Sequence, residues 1–344
     1  MAGLKVIMGS DSKKWDEIVR SFSNYDVYYL SGYVKAFQLH GDGEPLLFYY
    51  EDNGLRGIHV VMKRDIAQDP HFVGKLPENT YFDFATPYGY GGWLLEGEGD
   101  SAPVYSTYKD WCYKNHILSE FVRFELFSTT RDSYYGQVVR RTNNIVRSLD
   151  CPMDEMLMDF EHKVRKNLKK ANAFGLEILI EDTEDHLEEF LQIYYGTMDR
   201  NDATQNYYFK KEFFHQIDQL RGNHMYFHVM FGGKVIATEL VIMGSDTMYS
   251  YLGGTNGEYF SYRPNDFLKF HIIKWGIDNG YRQFVLGGGY GADDGIFRYK
   301  KSFAPNGVVP FYTGQVVFNQ KEYDRLLSLR TDLSESGFFP LYRA

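Results

Sequence analysis

Apolar residues near the start of the chain recur at the spacing of one helix face. Residues 15, 18, 19 and 22 are apolar, at positions i, i+3, i+4 and i+7, which predicts an amphipathic helix. Further along, Asp52-Asn53-Gly54 joins two β-rich runs and favours a hairpin, because Asn and Gly tolerate positive φ. The elements predicted for this half are a helix near 15–22, a strand 26–30, a helix near 33–37, strands 45–51, 55–63 and 80–84, a helix 104–114 and a strand 120–127.

The second half of the sequence predicts a similar order of elements. Pro264 suits the first turn of a helix, where its missing N–H is not needed, and Gly280 suits the cap at the helix end. Hairpin, strand, loop, helix and strand therefore occur twice in the chain. The predicted elements are helices 159–175, 184–198 and 210–221, strands 225–231, 235–243 and 247–253, a helix 264–279, a strand 283–286, a hairpin 307–318 and a helix ending at 329.

This repeat predicts an α/β fold of two lobes with mixed sheets. We place an N-terminal domain at 1–148 and a C-terminal domain at 149–306, because the polar stretch 141–150 precedes a new helix. Residues 307–344 form a C-terminal hairpin and helix that can pack back on the N-terminal domain.

Each lobe is predicted to contain a strand, a crossover helix and a second strand parallel to the first. Ligands of such folds bind where the carboxyl ends of neighbouring parallel strands separate. In the second lobe these ends are residues 251–255 and 286–289. We therefore expect the chemistry at this place, with Tyr251 among the residues that contact substrate.

Composition narrows the class of protein. The 344 residues carry a formal net charge of −9, which argues against a protein that coats nucleic acid through bulk charge, and no DNA partner is expected. Cys112 and Cys151 are the two cysteines, so a reducing compartment is expected. No uncharged apolar run reaches about 18 residues, and the first residues lack the apolar core of a signal peptide. The sequence therefore predicts a cytoplasmic protein without a transmembrane segment.

A concentration of positive charge lies on the predicted helix 159–175. Its apolar residues occupy one face, and five cations fill the rest: Lys163, Arg165, Lys166, Lys169 and Lys170. One interpretation is a surface that faces the phosphates of a nucleotide or tRNA. The other interpretation is an ordinary solvated helix face.

Two further segments lie at the predicted carboxyl ends of the strands. Residues 287–292 formally contain G-x-G-x-x-A, but Asp293-Asp294-Gly295 follows where a dinucleotide fold needs a long helix, so we interpret the segment as a tight turn. Residues 297–303 place three cations between aromatic residues, where they could neutralise a phosphate or a developing oxyanion. The alternative is a short amphipathic turn anchored by its aromatic residues.

The sequence indicates neither a metal site nor a covalent nucleophile. His224 and His228 would share one strand face but lack a third ligand. Cys112 lies between two aromatic residues of a helix and is expected to pack as a small apolar group.

The order of several motifs resembles that of FemABX-like proteins, over nearly the whole chain. The resemblance implies two tandem GNAT-like acyltransferase domains. Characterised members of that family transfer an amino acid from aminoacyl-tRNA to an amine of a peptidoglycan precursor. The motifs are Leu30-Ser-Gly-Tyr-Val-Lys35, Asp83-Phe-Ala-Thr-Pro-Tyr-Gly89, Lys163-Val-Arg-Lys-Asn-Leu-Lys-Lys-Ala171, Tyr194-Tyr-Gly-Thr-Met-Asp-Arg200, the strand 248–254, Arg263-Pro-Asn265, and Leu286-Gly287 followed by Phe297-Arg-Tyr-Lys-Lys-Ser-Phe303.

The resemblance also implies roles for individual residues. Lys35 and Arg200 match basic residues that hold the diphosphate of a nucleotide-linked muropeptide. Lys300 matches a lysine near the terminal ribose and ester of the acyl donor. Arg165 matches another family position, and we group it with the substrate-binding residues. The long charged helical insertion of some relatives is missing, which implies a compact form.

These observations lead to the hypothesis of direct N-acyl transfer, in which an amine attacks an activated ester without an acyl-enzyme. Lys300 and Arg298 are the expected electrostatic catalysts, and no resident cofactor is expected. The proton acceptor stays open among Asp83, Asp293, Asp294 and the substrate's own carboxylate or phosphate, and we group Asp293 with the catalytic residues.

The donor and the protein class have alternatives. A GNAT enzyme that uses acyl-CoA normally holds the pyrophosphate in a glycine-rich loop, but residues 255–263 contain one glycine and a carboxylate. That loop suits acyl-CoA poorly, so aminoacyl-tRNA, the donor that the resemblance implies, is the favoured one, and an acyl-CoA-dependent N-acyltransferase acting on a small amine is the first alternative. A non-catalytic binding protein on the same fold is the second.

Overall fold

The computed structural model describes residues 3–289, 291, 293–333 and 337–344. Its contacts divide the chain into two compact units. The first unit comprises Met1–Arg141 and Phe311–Ala344, and the second comprises Thr142–Pro310. Residues 142–148 and 307–310 thus belong to the second unit, and the C-terminal residues 311–344 belong to the first.

The elements follow in chain order. The first part contains β1 (Gly3–Met8), α1 (Ser12–Arg20), α2 (Ser31–His40), β2 (Glu44–Asp52), β3 (Leu55–Asp65), β4 (Phe82–Ala85), β5 (Leu94–Gly97), α3 (Ala102–Lys114), β6 (Ile117–Arg123) and β7 (Gln137–Ser148). The remainder contains α4 (Met153–Asp159), α5 (His162–Ala173), β8 (Glu177–Glu181), α6 (Leu187–Arg200), α7 (Lys211–Ile217), β9 (His224–Phe231), β10 (Lys234–Met243), β11 (Thr247–Thr255), α8 (Pro264–Asp278), β12 (Gln283–Gly287), α9 (Gly295–Lys301), β13 (Val308–Val317) and α10 (Gln320–Ser328).

The first unit is built on a mixed sheet with the strand order β1-β2-β3-β4-β6-β13, and β5 adds to β3. Neighbouring strands are antiparallel except β4 and β6, which are parallel because α3 returns the chain between them. Phe48, Phe84, Trp93 and Tyr108 form part of the core between the sheet and α3.

The second unit repeats this arrangement with the strand order β7-β12-β11-β10-β9-β8. Its parallel pair is β11 and β12, joined through α8. Gly280 follows α8 with φ of 77°, the left-handed conformation expected at a helix end. The mixed α/β architecture and the repeated order of hairpin, strand, helix and parallel strand confirm the predicted fold class.

Two predicted elements are wrong. The segment 26–30 is a 3₁₀ turn, Val27–Tyr29, since the Asp26 carboxylate accepts the N–H of Val27 (2.6 Å) and starts a turn. The predicted hairpin 307–318 is one strand, β13, because it pairs with β6 and not with itself. The polar stretch 141–150, near which we place the domain boundary, includes the end of β7, where Ile145 and Val146 are buried, and the two units divide within it, after Arg141.

Three short strands were not predicted: β1, β5 and β8. Among the described residues, no helix combines the length and apolar character needed to cross a membrane. The same residues include no group of three His, Cys, Asp or Glu side chains placed to hold a metal ion.

A buried carboxylate fastens the C-terminal residues within the first unit. Asp83 is fully buried and accepts hydrogen bonds from Arg64 Nε (2.7 Å), Arg343 Nε (2.6 Å) and the Tyr342 hydroxyl (2.9 Å). Burial acts to raise the pKa of this carboxyl, but the charges of Arg64 and Arg343 outweigh burial and hold the pKa below its usual range. The Asp83 carboxyl is therefore ionised, and both of its oxygens already accept hydrogen bonds. A carboxylate with a lowered pKa is a weak base, so Asp83 is a poor proton acceptor.

Asp83→Asn is predicted to destabilise the protein by about 3–5 kcal/mol, because two cations lose their buried counter-charge. The lowered pKa means that this stabilisation is present at neutral pH and is lost as the pH falls through the pKa of the folded state. Thermal unfolding at neutral pH measures the effect, with Glu98→Gln as the control because Glu98 is exposed. Equal melting temperatures for the two variants would contradict the role given to Asp83.

Candidate functional site

The parallel strands β11 and β12 pair over a short distance and then separate. Their paired residues are Thr247 with Gln283, Met248 with Phe284 and Tyr249 with Val285. Beyond Tyr249, β11 continues to Thr255 beside β10 alone, while β12 continues beside β7. A gap therefore opens at the carboxyl ends of both strands, where folds of this class bind ligands.

A β-bulge lies on the wall of this gap. Leu240 pairs with Leu252 and Val241 pairs with Ser250, so Tyr251 is an extra residue in β11. Bulges bend a strand and re-aim its side chains, and they are frequent next to active sites. The structure therefore places the predicted Tyr251 two residues beyond the last pair with β12.

A buried ion pair lies beneath the gap. Lys269 of α8 donates to both oxygens of Glu239 on β10, at 2.7 and 2.6 Å, and to the Ser250 hydroxyl at 3.0 Å. The side chains of Lys269 and Glu239 are 7% and 10% exposed. Removing two charges from water is costly, so this pair is stable only because each partner satisfies the other.

Lys300 lies at the carboxyl end of β12. Its ammonium donates to the carbonyl of Gly288 at 2.6 Å, and a Cβ on Gly287 would lie 3.2 Å from the same nitrogen. Burial, and next the nearby charge of Lys269, lower the pKa of Lys300 to about 8. Lys300 is therefore a half-buried cation near the gap whose charge is lost on mild alkalinisation.

The turn that precedes α9 fixes the position of Lys300. Asp294 accepts the N–H groups of Phe297 (2.7 Å) and Gly291 (2.9 Å), which begins α9 at Gly295. Tyr290 and Ala292, which belong to the predicted tight turn 287–292, lie outside the described residues. Because both oxygens of Asp294 serve as caps, this residue has a structural role.

Arg298 and Asp293 contact each other, and the contacts found for them do not include Lys300. Arg298 donates to the backbone carbonyl of Asp293 at 2.8 Å, and its guanidinium lies 3.6 Å from the Asp293 carboxylate. Both side chains are exposed and line a neighbouring cavity. The three predicted catalytic residues therefore occupy two places.

That cavity, termed the large cavity, has a volume of about 900 Å³ and is bordered by α5, by the segment before α8 and by α9. Four cations and three carboxylates line it: Lys163, Arg263, Arg298, Lys301, Glu161, Asp266 and Asp293. Asp266 is buried, and burial raises the pKa of its carboxyl. Phe260 and Tyr299 add aromatic surface. Asp266 could not be singled out from the sequence, because its burial depends on tertiary packing.

The loop between β11 and α8 forms a 3₁₀ helix, Gly257–Tyr262, that uses its own backbone groups. The side chain of Asn256 accepts the N–H of Glu258, and its carbonyl accepts the N–H of Tyr259. Arg263 then adopts a left-handed conformation with φ of 64°, a strained position for a residue other than glycine. Anion recognition at this edge of the large cavity therefore falls mainly on side chains.

Arg200 borders a second cavity of about 510 Å³, termed the small cavity. It donates to the carbonyls of Gly196 (3.2 Å) and Thr255 (3.0 Å), and its guanidinium lies 5.2 Å from the centre of the Phe260 ring. Arg200 therefore ties the end of α6 to the end of β11.

The remaining predicted binding residues have local contacts. Arg165 donates to the carbonyls of Met158 (2.9 Å) and Phe160, which anchors the end of α4. Lys35, on α2 of the first unit, contacts the Ser12 hydroxyl. These contacts give Arg165 a structural role in the second unit.

The corresponding strands of the first unit remain joined. Strand β4 pairs with β6 along its whole length, from Phe82 with Ile117 to Ala85 with Phe121. The pairing continues beyond β4, because the N–H of Gly91 donates to Arg123 at 2.7 Å. Backbone hydrogen bonds therefore close the gap that is open in the second unit.

Comparison with known proteins identifies the second unit. Residues 158–301 match the family model described as the acetyltransferase (GNAT) domain. No curated protein sequence matches the chain.

Solved structures share the fold of the whole chain. The crystal structure of FemX superposes with a TM-score of 0.67 at 13% identity, covering 93% of this chain and 98% of FemX. The C-terminal domain of a putative lysylphosphatidylglycerol synthetase from Agrobacterium fabrum gives 0.56 at 13% identity, covering 96% of this chain and 98% of that domain. A tandem GNAT protein from the clavulanic acid biosynthesis pathway gives 0.50 at 7% identity, covering 92% and 99%. The predicted FemABX-like fold of two GNAT-like domains is confirmed.

Glu239→Gln is predicted to lower the free energy of unfolding by about 3–5 kcal/mol, because the Lys269 ammonium stays buried without a counter-charge. The double variant Glu239→Gln/Lys269→Met should recover most of that loss, since no charge remains buried. Denaturant unfolding measures both variants, with Glu177→Gln as the control because Glu177 is exposed at the start of β8. A double variant no more stable than Glu239→Gln would contradict this account of the pair.

Proposed function

We propose that this acyltransferase, a chain with a GNAT domain and the fold of FemX, transfers an amino acid from aminoacyl-tRNA to an amine of a cell-envelope precursor. The observation that carries the proposal is the large cavity, where four cationic side chains outnumber three carboxylates and where Tyr299 and Lys301, the sequence neighbours of Lys300, form part of the lining. Cations in a partly enclosed site suit a phosphate-bearing donor whose reactive end reaches the gap.

The cavity supports an RNA end as donor better than coenzyme A. Phe260 and Tyr299 offer aromatic surface for a terminal base or ribose, and Arg263 and Lys301 offer charge for a phosphate. In the loop before α8, backbone N–H groups donate hydrogen bonds to carbonyls of the same loop. Fewer N–H groups are therefore left to bind a pyrophosphate.

The proposed reaction is a direct displacement at the ester carbonyl of the donor. The new C–N bond forms as the amine attacks, and the C–O bond to the ribose oxygen breaks. Lys300 stabilises the oxyanion and gives a proton to the leaving oxygen, for which a pKa of about 8 is well matched. Holding the two reactants in line supplies roughly 7–11 kcal/mol of the barrier reduction.

The proton lost by the attacking amine needs an acceptor. Asp293 is one of the candidates from the sequence, and its exposed side chain lines the large cavity beside Arg298. Asp266 is a second candidate in the same cavity, because its raised pKa makes it the stronger base.

The proposed acceptor is an amine of a peptidoglycan or lipid-linked envelope precursor. The resemblance to FemABX-like proteins implies that Arg200 contacts its diphosphate, and Arg200 borders the small cavity together with Lys234, Glu189 and Glu258. Among the similar structures, one is FemX and another is named a lysylphosphatidylglycerol synthetase.

A second candidate is an N-acyltransferase that uses acyl-CoA. The match of residues 158–301 to the acetyltransferase (GNAT) model favours acyl-CoA as the donor. The two candidates share the gap and Lys300, and they differ in the molecule that fills the large cavity.

Thermal shifts with separate donor analogues distinguish the candidates. A non-hydrolysable aminoacyl-adenosine at about 100 times its Kd should stabilise the protein by roughly 2.7 kcal/mol and raise Tm by about 2–4 °C, whereas coenzyme A should have no effect. A double variant, Arg263→Gln/Lys301→Gln, should lose the shift, and Lys13→Gln/Lys14→Gln on α1 should keep it. A shift with coenzyme A alone would replace the proposed donor with acyl-CoA.

A further inference from the structure

The first unit contains a cavity of its own, with a volume of about 440 Å³. It is bordered by the end of α2, the start of β2, the end of β3 and Arg343. Phe82, the first residue of β4, also lines this cavity, termed the basal cavity. The basal cavity therefore lies at the opposite end of β4 from the carboxyl end, where folds of this class bind ligands, and its volume suits a small molecule.

Two guanidinium groups are held at the basal cavity by one buried carboxylate. Arg64 and Arg343 both line the cavity, and each donates through Nε to Asp83. Arg343 also donates through Nη1 to Asp69 at 2.9 Å, but its Nη2 is buried without a hydrogen-bond partner among the residues that the structure describes. In that part of the chain, neither Nη of Arg64 has a hydrogen-bond partner. These nitrogens are positioned donors without a protein acceptor, and a buried donor left unpaired is costly.

The turn before β2 lies against the Arg64 side chain. Gly43 has φ of 117°, and a Cβ there would lie 2.5 Å from the Lys63 carbonyl oxygen and 3.0 Å from Arg64 Cγ. A side chain at this position would therefore clash, which explains the glycine. The Lys63 ammonium lies 3.8 Å from the centre of the Phe82 ring, so a cation–π contact places a third cation at the cavity.

Two carboxylates at the same place lack a charged partner. Asp42 precedes Gly43, and its Oδ2 is buried without a hydrogen-bond partner within the described ranges. Burial raises the pKa of the Asp42 carboxyl, while the nearby charges of His40 and Arg64 act against burial. Glu44 lines the cavity, is exposed and forms no ion pair in the same ranges. An ammonium group in the cavity would give both carboxylates a counter-charge.

The balance of charge indicates the class of ligand. Asp65 accepts two backbone N–H groups, and Asp69 accepts hydrogen bonds from His71 and Arg343. Because cations do not outnumber carboxylates, a doubly charged phosphate would find no excess of positive charge. A planar carboxylate matches the fork of a guanidinium, and an ammonium on the same molecule matches the unpaired carboxylates. The charged residues that line the cavity are Lys63, Arg64, Arg343, Glu44, Asp65 and Asp69.

We propose that the basal cavity binds a zwitterion, an α-amino acid or a short peptide, with its carboxylate on Arg64 and Arg343 and its ammonium beside Asp42 and Glu44. All residues of this site belong to the first unit, whereas the gap and Lys300 belong to the second. The site therefore gives the first unit, in which β4 and β6 stay joined, a ligand of its own.

Isothermal titration calorimetry with the standard α-amino acids and with dialanine tests the proposal. At least one of these compounds should bind about tenfold more tightly than its analogue without the amino group, because the analogue leaves the two carboxylates without a counter-charge. Binding of a free amino acid or of dialanine supports the proposal and tells which source supplies the ligand. Binding of none of them, or of inorganic phosphate in their place, would overturn it.

The ammonium end is tested by Asp42→Asn/Glu44→Gln, which removes both carboxylates and breaks no side-chain hydrogen bond found for them in the described residues. This variant should bind the zwitterion about tenfold more weakly and bind the analogue without the amino group as the wild type does. Glu98→Gln/Asp110→Asn is the matched control, because both residues are exposed in the first unit, and its affinities should not change. A zwitterion affinity unchanged in Asp42→Asn/Glu44→Gln would refute the assignment.

The carboxylate end is tested by Arg64→Lys, which keeps a cation beside Asp83 but loses the planar fork. The zwitterion should bind about tenfold more weakly, while an unchanged Tm shows that the variant is folded. Lys300→Met should bind the zwitterion as tightly as the wild type, so the result does not depend on the proposed transfer reaction. Full affinity in folded Arg64→Lys, or loss of binding in Lys300→Met, would contradict a site in the basal cavity.

Discussion

The short pairing between β11 and β12 is the constraint on which the rest of the site depends. Because the strands share three residue pairs and then follow different neighbours, a gap opens between them while β11 stays paired with β10 and β12 with β7. The bulge at Tyr251 lies in β11 just beyond the last pair with β12, where bulges typically bend a strand and re-aim its side chains. In the first unit the equivalent strands, β4 and β6, stay paired through Ala85. The two units therefore share a fold, but the gap is found in the second unit and not between β4 and β6.

Charge is arranged around this gap in two layers. The inner layer contains the buried pair of Lys269 and Glu239, whose opposite charges neutralise each other. It also contains Lys300, whose pKa is lowered by burial and by the charge of Lys269. The outer layer is the large cavity and the lysines of α5, which are exposed. This arrangement places a weakly acidic ammonium near the proposed reacting bond and permanent charge where a polyanionic donor would enter.

Much of the fold could be predicted from the sequence, because hydrophobic spacing and turn residues such as Asp52-Asn53-Gly54 and Pro264 act locally. The carboxyl-end location of the site followed from the crossover rule, and the structure places the predicted Tyr251 and Lys300 there. The short edge strands lacked sufficient length to show a period. Lys269, Glu239 and Asp266 could not be predicted, because a buried charge is recognised only once its partners from distant strands and helices are known. Arg165 illustrates the opposite error. The sequence suggested that it binds substrate, but in the structure its guanidinium donates to a carbonyl at the end of α4.

The dependence of kcat/KM on pH for transfer from aminoacyl-RNA is the most direct test of the central role given to Lys300. The account requires Lys300 as a cation, and its pKa is lowered to about 8, so kcat/KM should fall as the pH rises through about 8. Lys300→Arg keeps the charge and should lose this alkaline decline, and Lys300→Met should lower kcat by about 10²–10³ while the protein stays folded. A wild-type profile that rises through pH 8, or a folded Lys300→Met enzyme with full turnover, would contradict the account.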